Sequence, residues 1–121
     1  MKNAESDPGS SIKNDKVIVI GDIGPGDSIW VQTQRSNYLF SLVEPTWRRG
    51  TLTGGLLGEQ VLEAVLAGET SEDKTHFDSS ELKAGSRALF FLETKGDLHR
   101  LLTSVITNVA HIAGSHTKWV G

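Results

Sequence analysis

The stretch SRALFFLETKGDLHRLLTSVITNVAHI, residues 86–112, decides the fold. Ala88-Leu89-Phe90-Phe91-Leu92 is a short apolar and aromatic run, Lys95-Gly96-Asp97 turns the chain, and Leu98 opens a return arm reaching Ile112. That grammar is a β-hairpin. The return arm sets Leu102, Ile106, Ala110 and Ile112 at mostly even spacing on one side, and Leu101, Thr103, Val105, Thr107 and Val109 on the other. Neither side is plainly wet. So long an apolar strand predicts an edge that invites another chain, and with it homo-oligomerisation.

A second hairpin lies upstream. Gly24-Pro25-Gly26-Asp27 is a turn by its dipeptides, Ile29-Trp30-Val31-Gln32-Thr33 follows with strand formers, and Arg35-Ser36-Asn37 breaks before Tyr38-Leu39-Phe40-Ser41-Leu42-Val43. Pro45 closes the arm because it cannot donate to a ladder. Trp30 reads as core. Before this hairpin, Val17-Ile18-Val19-Ile20 is β-branched and suits a strand buried on both faces. Residues 1–15 are polar with one isolated Ile and read as a disordered tail, leaving 16–121 as a single β-rich domain.

The middle is contested. Thr51-Leu52-Thr53 reads as a short strand stopped by Gly54-Gly55. Beyond it, Leu57, Val61, Leu62, Val65 and Leu66 fall at helical spacing, with Glu59, Gln60, Glu63 and Ala64 opposite and Gly68 as a stop. A period of two also fits 61–67, but propensity favours one short helix around 57–67. Residues 69–81 (ETSEDKTHFDSSE) are a polar surface excursion. The expected architecture is all-β, a small β-barrel or β-sandwich-like domain of about six or seven strands. The repeated Ser36-x-x-Leu39-Phe40-x-Leu42 and Ser86-x-x-Leu89-Phe90-x-Leu92 reflects shared hairpin grammar.

Composition narrows the chemistry. The net charge of −3 repels phosphate backbones and anionic lipid. The absence of Cys removes disulfides, zinc ribbons, iron–sulfur ligation and thiol catalysis. No opening apolar segment suggests a secretory signal, and no apolar run approaches the roughly 18 residues of a membrane span. The expectation is a soluble, cytoplasmic protein without cofactor or membrane partner.

No catalytic motif stands out. Gly21-x-x-Gly24-x-Gly26 lacks the following helix that a phosphate loop needs, and Gly54-Gly55-x-x-Gly58 could present amides to an anion only if a helix followed. His76, His99, His111 and His116 form no zinc-binding spacing, so no metal is expected. There is no G-x-S-x-G elbow, and pairs such as Glu59 with Glu63 or Glu72 with Asp73 read as solvated faces. The most suggestive cluster is Trp47-Arg48-Arg49 after Pro45, since Trp and Arg anchor interfaces. The plainer alternative has Trp47 capping a barrel end and the arginines neutralising acids. Trp119 should pack back on the body or on another chain.

Thr33-Gln34-Arg35-Ser36-Asn37-Tyr38, Gly54-Gly55 and Leu102-Thr103-Ser104-x-Ile106-x-x-Val109 together resemble small, uncharacterised all-β bacterial proteins. In those a T-x-x-S-x-Y strand precedes a Gly-Gly turn and a terminal T-S-x-V-x-x-I strand. The resemblance implies no activity. It does imply an extended conformation for the segment matching 57–67, from which this helix-like stretch and the excursion at 69–81 depart.

Three functions are carried forward. The first is a non-catalytic binding or interaction module whose partner is another protein or a second copy, with Trp47, Arg48 and Arg49 as contacts. The second is a small hydrolase-like enzyme with a barrel-mouth site built from Thr53, Gly54, Gly55 and a carboxylate. The third is nucleic-acid binding through Tyr38, Trp47, Arg48 and Arg49, disfavoured by the acidic total.

Overall fold

The structure, a computed structural model, describes residues 12–114. The strands are β1 (Ile12–Asp15), β2 (Val17–Val19), β3 (Ser28–Thr33), β4 (Asn37–Glu44), β5 (Arg49–Gly54), β6 (Val61–Thr70), β7 (Phe77–Asp78), β8 (Glu81–Lys83), β9 (Arg87–Thr94) and β10 (Asp97–Ile112). Among them β3, β4, β5, β6, β9 and β10 pair antiparallel in turn, and β10 returns to β3 to close a six-stranded barrel. Both expected hairpins are present, as β3–β4 and β9–β10. No helix among the described residues is long and apolar enough to cross a membrane.

Strand alternation builds the core. Ile29 and Val31 of β3, Tyr38, Phe40 and Leu42 of β4, and Ala88, Phe90 and Leu92 of β9 are buried, because residues two apart share a face. The repeated Ser-x-x-Leu-Phe-x-Leu pattern delivers Phe40 and Phe90 into mutual contact, with ring centroids 5.7 Å apart. The same alternation corrects the reading of Trp30: with Ile29 and Val31 inside, Trp30 lies half-buried on the outer face, beside Leu39 and Ala110 in the ladders.

No helix covers 57–67. Gly55–Leu57 is one 3-10 turn, and from Val61 the chain is extended, with Ala64 and Leu66 inside and Val61 and Glu63 outside. β6 has a partner along both edges, β5 and β9. Ladder bonds and core burial on a central strand exceed the few tenths of a kcal/mol per residue that separate helix propensities. The period of two that also fits 61–67 is the one the structure adopts.

β10 has a partner on both edges only along its last residues, 109–112. Its first half lies against β9, its second half against β3, and β1 continues along the edge where β9 stops. Register shifts between Leu102 and Val105 and between Ile106 and Asn108 let one long strand serve both halves. Among the described residues, 97–104 of β10 pair with β9 alone, so its first half keeps one edge without a ladder partner. β1 also corrects the tail expectation over Ile12–Asp15, whose backbone joins the sheet; the rest of that expectation, and those for His116 and Trp119, lie outside the described residues.

One barrel end is crossed by a two-stranded sheet of β2 and β8, where Ile18 and Leu82 face each other in register and are buried. Val17 and Val19 point outward and are exposed, so this segment is buried on one face and not on two. The predicted surface excursion at 69–81 is corrected at its ends, where Glu69 and Thr70 finish β6 with Glu69 buried and Glu81 opens β8; β7 lies inside it, and the excursion's tip at 72–80 is exposed.

Candidate functional site

The predicted contact residues divide between opposite ends of the barrel. Tyr38, Thr53, Gly54 and Gly55 lie where β4 begins and β5 ends; Trp47, Arg48 and Arg49 lie where β4 turns into β5.

At the first end these residues are structural. Tyr38 is buried inside the barrel, and its hydroxyl accepts a bond from Leu56 N at 3.3 Å. Gly55 lies flat on the ring: a Cβ there would fall 2.1 Å from Tyr38 Cζ. Gly54, at φ 98°, passes so close to β4 that a Cβ would meet Asn37 O at 2.4 Å. Thr53 Oγ1 donates to Gln60 O at 2.8 Å. The Gly-Gly step is thus a close backbone approach, and a strand follows it where anion capture would need a helix. Nucleic-acid stacking on Tyr38 is excluded by its burial in this structure.

The other end, the one β2 and β8 cross, is closed only in part. A cavity of about 240 Å³ enters the barrel between the Ile20–Ile23 turn and the β4–β5 turn. Its floor is Ile29, Phe40, Leu42 and Leu66, and Pro45, Thr46 and Arg48 form one side of its mouth. The neighbouring Trp47 is 71% exposed and does not cap the end. What holds it outward is Glu44, whose carboxylate accepts from Thr46 N at 2.8 Å and Trp47 N at 3.0 Å. Those bonds, the Trp47 amide foremost, keep the Glu44 carboxyl below its usual range, with Arg49 adding to the effect. Arg49 therefore does sit by an acid, as the plainer sequence reading has it.

Arg48 does not. It adopts φ 55°, a left-handed conformation that costs a residue with a Cβ roughly 1–2 kcal/mol. Its backbone N–H closes the turn on Pro45 O at 3.2 Å, its carbonyl accepts from Leu66 N at 3.0 Å, and its guanidinium reaches across to donate to Ser79 O. Ser80 O in turn accepts from Ile20 N at 2.9 Å. Hydrogen bonds thereby link three segments in a row, 45–48 to 79–80 to 20–23. Sequence reasoning found Trp47 and Arg48. It could not find Ile20, Ile23 or Leu66 as lining residues, because only barrel closure brings them together.

Two polar clusters beside this end are latches. Asp27 is buried and accepts from Gly24 N at 2.9 Å, Gly114 N at 2.7 Å and His111 Nε2 at 2.8 Å. Burial pushes its carboxyl up, but these bonds outweigh burial and hold it at about 2. Gly114 packs so tightly that a Cβ would meet Gly26 O at 2.2 Å. In the second cluster, Glu69, Asp78 and Glu81 bring carboxylate oxygens within 4.8 Å of one another. The Lys83 ammonium donates to both Glu69 and Glu81, and Lys83 N donates to Glu69 Oε1 at 2.9 Å. Burial raises the Glu69 carboxyl, and the two carboxylates raise the Lys83 ammonium far above its usual range. Lys83 thus occupies two of the three carboxylates, Glu69 and Glu81.

Comparison of the chain with protein-family models, with curated proteins and with solved structures finds no match.

Proposed function

We propose that this protein is a non-catalytic binding module that takes one apolar side chain of a protein partner into the open barrel end, with Trp47 packing over it. The observation that carries this reading is a 240 Å³ cavity floored by aliphatic and aromatic side chains, with Trp47, 71% exposed, between its lining residues Thr46 and Arg48 in the chain. Size argues for an anchor residue. Drug-sized ligands occupy roughly 300–1,000 Å³, whereas an apolar cavity of about 150 Å³ already admits a benzene-sized group. Exposed Trp beside a pocket is the residue type that most often dominates interface energies.

The lining also supports binding over chemistry. Among the described residues around the cavity, Arg48 alone is ionisable, so no carboxylate, imidazole or amine there is placed to move a proton. A second copy of the chain is one form such a partner can take.

Display of a random peptide library tests the reading. Selected peptides should share one large aliphatic or aromatic anchor and bind wild type at least about 30-fold more tightly than Trp47→Ala, the loss expected of a dominant interface residue. Selection of peptides indifferent to Trp47→Ala would refute it. Light scattering after gel filtration separates the self-association form, which a concentration-independent monomer mass removes.

A further inference from the structure

A second concavity, about 440 Å³, lies on the outer wall of the barrel and is lined by Thr70, Lys74, Arg87, Leu89, Arg100 and Leu102. Its floor follows from register. Leu89 of β9 and Leu102 of β10 are direct cross-strand partners, and Arg87 stands opposite Thr70 of β6. Arg100 is two residues from Leu102 on the same strand and so shares its face. Lys74 reaches the groove from the loop between β6 and β7, in a left-handed turn at φ 67°.

Three cations therefore border two leucines. None of the three is ion-paired with a carboxylate among the described residues, although the chain carries 15 acidic against 12 basic side chains. Arg87 is held in place without being neutralised: Nε donates to Glu72 O at 2.9 Å and Nη1 to Thr103 O at 3.2 Å, both uncharged carbonyls. The nearby Asp73 is occupied within its own loop, accepting from Ser71 Oγ at 2.7 Å, Thr75 Oγ1 at 2.6 Å and Thr75 N at 3.1 Å.

We infer that this groove binds a small organic carboxylate, with the head group among Lys74, Arg87 and Arg100 and an aliphatic or aryl body on Leu89 and Leu102. Charge complementarity selects an anion, and a guanidinium fixed by carbonyls keeps its remaining N–H donors oriented for one. The leucine floor calls for an apolar body. It also favours a singly charged head, because a dianionic phosphate loses more hydration beside apolar surface. β9 is paired on both edges here and β10 on its β9 edge, so the ligand is placed on the outer sheet face that Leu89 and Leu102 share.

Amide chemical-shift titration of the full chain tests this. Phenylacetate should move the 87–89 and 100–102 amides saturably, with Kd of about 1 mM for so small a ligand. Acetate lacks the body and 2-phenylethanol lacks the charge, and each should bind at least tenfold more weakly. Arg100 is exposed and its side chain bonds to no other described residue, so Arg100→Gln should keep the wild-type spectrum elsewhere and weaken phenylacetate at least fivefold. The inference is overturned if either control matches phenylacetate, if Arg100→Gln titrates like wild type, or if shifts appear only around Ile23 and Leu66 in the barrel-end cavity. Tenfold tighter binding of phenyl phosphate would overturn the carboxylate assignment.

Discussion

The two ends of one barrel are finished in opposite ways. At the Tyr38 end an aromatic ring lies on a glycine, the hydroxyl is bonded, and the backbone of β5 presses against β4. At the Trp47 end an aromatic ring is pushed into solvent by a carboxylate-capped turn, and the space it could have filled stays open. The difference teaches that side-chain type does not set an aromatic's role. The turn beneath it does: two glycines let the chain fold onto Tyr38, while Glu44 and Arg48 hold the chain away from the cavity.

The largest effect expected from breaking this contrast is at the sealed end. Tyr38→Ala should cost about 3–5 kcal/mol, as truncation of a buried aromatic does, read by urea denaturation. Gly55→Ala should cost about 2–3 kcal/mol, since the new methyl overlaps the Tyr38 ring and the residue sits at φ 52°; loss of near-ultraviolet aromatic dichroism would report the displaced ring.

The Asp27 latch comes next. Asp27→Asn should cost about 2 kcal/mol through its charge-assisted bonds to Gly24, Gly114 and His111. Its folded carboxyl titrates at about 2 against 3.8 ordinarily, a depressed value. The stability it contributes is thus present above pH 3.8 and lost as pH falls through about 2. Wild type and Asp27→Asn should therefore converge in stability across that window, which acid-dependent thermal unfolding measures. The smallest effect is at the open end: Trp47→Ala should alter stability by no more than about 0.5 kcal/mol while abolishing anchor-peptide binding. A Trp47→Ala protein that melts well below wild type would mean the two ends are not different after all.

Much of this fold was legible because it is local. Both hairpins announce themselves by apolar runs around Gly, Asn and Asp, and β10 was read to its last residue, Ile112. What was not legible depends on neighbours distant in the chain. Leu57 to Leu66 satisfies helical spacing on its own, and only β5 and β9 on either edge make it a strand. Trp30 could have faced either way until Ile29 and Val31 took the inside. The candidate site was half legible. Trp47-Arg48 is a visible pair of anchor types, but Tyr38 carries no mark of burial, and the cavity's other walls come from 20–23 and Leu66. The outer groove was missed outright, since Lys74, Arg87 and Arg100 share no local motif and meet only through the β6–β9–β10 ladder.

Closure of β10 upon β3 has a consequence for biosynthesis. Residues 28–33 wait for partners at 106–112, roughly 75 positions downstream, so the barrel cannot seal until nearly the whole described chain has been translated. Contacts of such sequence separation form late and slowly. In the interval β3 to β6 exist as an unsealed sheet with one apolar surface uncovered, the state in which a nascent β-protein is most prone to stick to its neighbours.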